Sequence, residues 1–102
     1  MRLSVIVSTY NKPRDLERVL HGYAAQTDRR FELLVADDGS GPETAAVIDR
    51  VRREAGLPIV HVWHEDRGFR KSEIMNRAIA ASTGDYLLFT DGDSIPRADL
   101  VA

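Results

Sequence analysis

Leu3-Ser4-Val5-Ile6-Val7-Ser8-Thr9 is a nearly continuous apolar run that ends in hydroxyl residues. A run of this kind, without strict alternation, is the pattern of a strand covered on both faces inside a parallel sheet. The residues after it extend the reading. Beyond Asn11 and Lys12, Pro13 suits a first helical position, and Asp15 and Glu17 suit the positive end of a helix dipole. Leu16, Val19, Leu20, Tyr23 and Ala24 then recur at helical spacing. The same grammar repeats. Phe31 to Ala36 reads as a second buried strand and Asp37-Asp38-Gly39-Ser40-Gly41 as a loop. Thr44, Val47, Ile48, Val51 and Ala55 form the stripe of a second helix, ended by Gly56 and Pro58. Ile59 to Trp63 is a third strand, Ile74, Ala78 and Ala81 with Met75 and Ile79 mark a third helix stopped near Gly84, and Tyr86 to Phe89 is a fourth buried strand. Strands alternating with helices predict an α/β chain whose mostly parallel four-stranded sheet, with strands near 3–9, 31–37, 59–63 and 86–90, is flanked by helices.

Length and composition bound what such a chain does. At 102 residues it is one small domain, and 43% hydrophobic with 29% charged residues is an ordinary folded composition. Fourteen basic against sixteen acidic residues leave a net charge of −2, so no broad positive field exists to gather nucleic acid. The chain has no cysteine, which excludes disulfides, thiolate metal sites and thiol nucleophiles and suits a reducing compartment. The first apolar run is too short and too interrupted for a secretory signal. The expected location is therefore cytoplasmic, compatible with peripheral attachment at the inner membrane face.

In a parallel sheet of this type ligands bind outside the carboxyl ends of the strands, so the four loops after the strands are where chemistry belongs. Asp91-Gly92-Asp93 carries two carboxylates out of the fourth strand, with a glycine that leaves room for a close ligand. Hard divalent cations such as Mg²⁺ or Mn²⁺ take one or two carboxylates plus substrate phosphates, which this pattern suits; the alternative is a plain turn with an Asp helix cap. Asp37-Asp38-Gly39-Ser40 is either a turn in which Ser40 caps the next helix, or a place where a carboxylate accepts a base N–H. Thr9-Tyr10-Asn11 offers a ring and an amide for a nucleobase, or else a core tyrosine and a helix cap. His64-Glu65-Asp66-Arg67 reads as a solvated charge run, and His21 and His61 as structural. Lys71, Asn76 and Arg77 lie on the third helix, whose first turn points at the site and suits a diphosphate; Lys71 and Asn76 are about 140° apart around it. Gly39-Ser40-Gly41-Pro42-Glu43-Thr44 approaches a dinucleotide fingerprint but has Thr44 at its last small-residue position and falls in the second unit.

Read together, Ser4 to Asn11, Gln26, Phe31 to Ser40, Gly68-Phe69-Arg70-Lys71 with Asn76, Gly84-Asp85-Tyr86 to Asp93, and Pro96 resemble the family 2 glycosyltransferases. The resemblance covers essentially the whole chain. It implies a Rossmann-like GT-A half-domain that binds a nucleotide-sugar donor, a UDP-sugar in most relatives, with Mn²⁺ or Mg²⁺ clamping the diphosphate. It implies that Thr9, Tyr10, Asn11, Asp38, Gly68, Lys71, Asn76, Asp91 and Gly92 line the nucleotide sugar and that Asp91 and Asp93 hold the metal. Met75 stands where many relatives have arginine, which leaves Lys71 or Arg70 to face the diphosphate. Gly68 to Lys71 is similar to a subgroup that includes polysaccharide-synthesising enzymes.

The resemblance further implies an inverting transfer to a carbohydrate or lipid-linked acceptor, with the acceptor site and general base in a half that would follow residue 102. The chain then reads as a truncated donor-binding half. Two alternatives of other classes are a non-catalytic nucleotide-binding module and an incomplete fragment that self-associates through an uncovered sheet edge. A third rests on the likeness of Asp91-x-Asp93 to the nucleophile motif of haloacid-dehalogenase-like phosphatases, although only nine residues follow Asp93.

Overall fold

A computed structural model of the chain describes residues 3–26, 30–68 and 70–92. Strands and helices alternate along them as β1 (Leu3–Thr9), α1 (Pro13–Ala24), β2 (Phe31–Asp37), α2 (Pro42–Ala55), β3 (Ile59–Trp63), α3 (Lys71–Ala81) and β4 (Tyr86–Asp91). The strands form one sheet in the order β3-β2-β1-β4, with every neighbouring pair parallel. Chain order therefore reverses at β1, with β2 and β3 on one side of it and β4 on the other.

Side-chain alternation along each strand sorts the core into two layers. Val5, Val7, Leu33 and Val35 meet Leu16, Val19, Leu20 and Tyr23 of α1 and Val47, Ile48 and Val51 of α2 on one face. Tyr23 and Phe31 close that layer with ring centroids 6.0 Å apart. Ile6, Leu34 and Ala36 point the other way and meet Ile74 and Ala78 of α3, with Met75 packed alongside. The apolar run of β1 is thus buried on both faces because helices cover both.

Pro13 and Gly56 act at their helix ends as expected. Pro13 and Pro42 start α1 and α2, and Gly56, at φ +64°, closes α2 in the left-handed conformation. The expected Ser40 cap does not form: Gly41 precedes α2 and no side chain caps it. Nor does Asn11 cap α1, which follows Lys12 without a side-chain cap. The fourth strand also differs from expectation. Among the described residues β4 is an edge strand rather than a buried one, and Tyr86, Leu87 and Phe89 are 58%, 40% and 47% exposed. An apolar run records only that a strand prefers cover; whether a neighbour supplies it is a matter of topology. Ala81, read as part of the α3 stripe, is likewise exposed.

Candidate functional site

The parallel register brings Ser8 level with Ala36 of β2 and Asp91 of β4, so the three strands end together. Beyond their ends, at the point where strand order reverses, lies a cavity of ≈ 300 Å³. Its wall includes Thr9, Tyr10, Asp38, Lys71, Asp91 and Gly92. All six are residues the sequence placed against a ligand. Ser8, Lys12, Ala36 and Ile74 also line it and were not anticipated. Asn11, Gly68 and Asn76 do not line it, and Asn76 is exposed on α3. Asp93, the second expected metal aspartate, lies outside the described residues.

Asp91 ends β4 with its side chain open to solvent. Its Oδ1 accepts from the Lys71 ammonium at 3.3 Å and from the Ser8 hydroxyl at 3.1 Å. Those two donors, with the Lys71 charge, hold the Asp91 carboxyl below the usual carboxylate range. Gly92 is explained by the chain itself. Its N–H donates to the Ser8 carbonyl at 2.7 Å, and a Cβ there would come within 2.8 Å of that oxygen. The close approach of the β1 backbone thus accounts for the glycine, which also lines the cavity.

Across the cavity, Asp38 follows β2. Its N–H donates to the Thr9 carbonyl at 3.1 Å, and its carboxylate is held on two sides. His64 Nε2 lies 2.6 Å from Oδ1, and the Arg70 N–H donates to Oδ2 at 2.9 Å. His64 is therefore buried, not part of a solvated run. Asp37 is structural: its Oδ1 accepts the Ser40 N–H at 2.9 Å and its Oδ2 lies 2.8 Å from His61 Nε2.

The first loop is tied to the second and third. Asn11, at φ +48°, donates its N–H to the Ser40 hydroxyl at 2.8 Å while its Oδ1 accepts the Gly41 N–H at 2.9 Å. Both sequence readings of Asn11 missed this reciprocal clasp. Tyr10 is not a core residue; it is 46% exposed, and its hydroxyl donates to Asp66 Oδ2 at 2.7 Å. That bond raises the Tyr10 phenol above its ordinary value, because ionising it would set two negative charges together. Asp66 also accepts the Gly68 N–H at 3.2 Å and lies against Gly39, where a Cβ would fall 2.5 Å from its Cα. The close approach of the third loop thus accounts for Gly39 without a bound phosphate. Trp63 Nε1 donates to the Ser40 carbonyl at 3.0 Å and completes the bracing.

The wall accordingly combines a carboxylate held by two partners at one end, an exposed ring beside it, and an ionised carboxylate with a lysine at the other. Among the described residues no group of three or more His, Cys, Asp or Glu side chains forms a complete metal cage. A single hard-oxygen ligand such as Asp91 fits a divalent cation shared with a ligand's phosphates, not one enclosed by protein.

The profile of the family described as glycosyl transferase family 2 matches residues 4–102. The chain belongs to glycosyl transferase family 2. An uncharacterized glycosyltransferase of Nostoc sp. is 33% identical over 95 residues, covering 93% of this chain and 29% of that protein. The crystal structure of Staphylococcus aureus TarS 1-349 in complex with UDP-GlcNAc superposes with a TM-score of 0.85 at 28% identity, covering 96% of this chain and 28% of that one. A mannosyltransferase from Pyrobaculum calidifontis in complex with GDP-Man and Mn²⁺ gives a TM-score of 0.82 at 29% identity, covering 95% of this chain and 29% of that one. The four-stranded parallel sheet with its flanking helices matches the TarS structure as a GT-A, Rossmann-like fold. This family 2 chain therefore spans under a third of the length of these relatives, and the phosphatase reading gains no support from them.

Proposed function

We propose that this chain forms the donor-binding part of a metal-dependent glycosyltransferase that takes a UDP-sugar and transfers the sugar, with inversion, to an acceptor hydroxyl on a carbohydrate or lipid-linked molecule. The observation that carries the reading is the placement of Asp38 and Asp91 on one cavity at the β1/β4 switch point. Nucleotide-sugar complexes of the similar TarS and mannosyltransferase structures support it.

Asp38 accepts a ring N–H of the base, Tyr10 and Thr9 form the wall beside it, and Lys71 faces the diphosphate. Asp91, joined by Asp93, holds Mn²⁺ or Mg²⁺. The bound ion supplies neutralisation of charge on the departing nucleoside diphosphate. Asn11 contributes by fixing the first loop on the second. Activation of the acceptor hydroxyl needs a general base, a role this reading gives to none of the described residues. The same reading leaves the β4 edge, with Leu87 and Phe89 exposed, as a surface that pairs with another strand, one from a second copy included.

Calorimetric titration of UDP, with Mn²⁺ and then with EDTA, tests the donor site. Metal-dependent binding that disappears in Asp91→Ala is the expected result. A folded sample that binds neither UDP nor GDP with Mn²⁺ would overturn the assignment.

A further inference from the structure

The Asp38–His64 pair is built more tightly than a turn requires. Their side chains are 8% and 6% exposed, and the pair joins residues 26 positions apart. The other imidazole nitrogen, Nδ1, is buried and has no partner among the described residues. A buried polar atom left unpaired is costly, so what this ring contributes lies in its other contact. That contact is the 2.6 Å bond to Asp38 Oδ1, opposite the Arg70 N–H on Oδ2. A carboxylate only accepts, so His64 presents Nε2–H to it.

We propose that His64 is a positioning residue that sets which base the site takes, an inference that rests on the donor-site reading above. With one N–H donor on each oxygen, Asp38 is fixed in orientation and kept as an acceptor, and each oxygen retains a lone pair for the cavity that Asp38 lines. Such a group accepts the N3–H of uracil. It opposes cytosine, whose N3 is itself an acceptor. Without His64, Oδ1 of this buried carboxylate loses its donor and the group is free to rotate, and discrimination between the two bases falls. A purely structural histidine would weaken all nucleotides alike.

The test titrates UDP and CDP, each with Mn²⁺, into the wild-type chain, His64→Leu and His64→Gln, with thermal melting as the check on folding. The expected wild-type chain prefers UDP. His64→Leu loses about tenfold or more of that preference, the size expected for one hydrogen bond to a charged group. His64→Gln, which still carries an N–H donor, keeps the preference within a few-fold. A His64→Leu chain with an unchanged UDP/CDP ratio overturns the inference and leaves the donor site standing. A wild-type chain that binds neither nucleotide overturns both. Should His64→Leu fail to fold, ¹⁵N spectra of the wild-type His64 ring decide: its signals shift with uridine and not with pyrophosphate, and equal shifts with both overturn the inference.

Discussion

Lys71 and Asp91 show how much of this site is electrostatic preparation. The lysine starts α3, the aspartate ends β4, and their 3.3 Å contact brings together residues 20 positions apart. Because Lys71 and Ser8 favour the charged form, Asp91 ionises at lower pH in the folded chain than in the unfolded one. The stabilisation linked to that shift is present at neutral pH, above the unfolded value, and disappears as pH falls through the folded one. Lys71→Met is expected to return the Asp91 carboxyl toward the ordinary carboxylate range. A ¹³C titration of the Asp91 carboxyl measures this, and an unmoved midpoint would show that Ser8 alone sets it. At this scale the sequence was legible where one residue type has one use, as with the two loop aspartates. It was opaque where partners are distant. Tyr10 with Asp66, Asn11 with Ser40, and Asp38 with His64 lie 26 to 56 positions apart, and no local pattern links them. His64 shared the polarity of its exposed neighbours and could be told from them only by its burial.

The elements differ in how firmly they are held. α1 and α2 pack on the sheet through a broad stripe each and also on each other. α3 buries only Ile74 and Ala78, against Ile6, Leu34 and Ala36. Yet α3 carries Lys71 and is preceded by Arg70, so it connects both ends of the cavity: one residue reaches Asp38 through its backbone and the next reaches Asp91 through its side chain. Ile74→Ala is expected to cost about 2–5 kcal/mol by removing the larger of the two anchors. Hydrogen exchange should accelerate first in α3, and UDP affinity should fall with it. Equal protection of α1, α2 and α3 in the variant would contradict this division. Strand and helix order could be read from periodicity because each element's apolar pattern is its own. The exposure of β4 could not, since the pattern of a covered strand and of an edge strand awaiting cover is the same.

For the whole molecule, the sheet margin is a matter of colloid physics as much as of catalysis. β4 presents Leu87 and Phe89 on the α3 side of the sheet and Tyr86 on the other, and the net charge of −2 gives little mutual repulsion. The chain is expected to show a mass that rises with concentration in sedimentation experiments, and Leu87→Lys with Phe89→Lys is expected to suppress the rise. A compact monomer at every concentration would remove the β4 edge as an association surface.

The loops beyond the strands are laced to one another by Asn11, Ser40, Gly41, Tyr10, Asp66, Asp38, His64 and Trp63, with no covalent crosslink. A mouth stiffened in this way meets its guest already shaped. Loops tied together when the chain folds have less entropy left to surrender on binding, which favours affinity without any added contact.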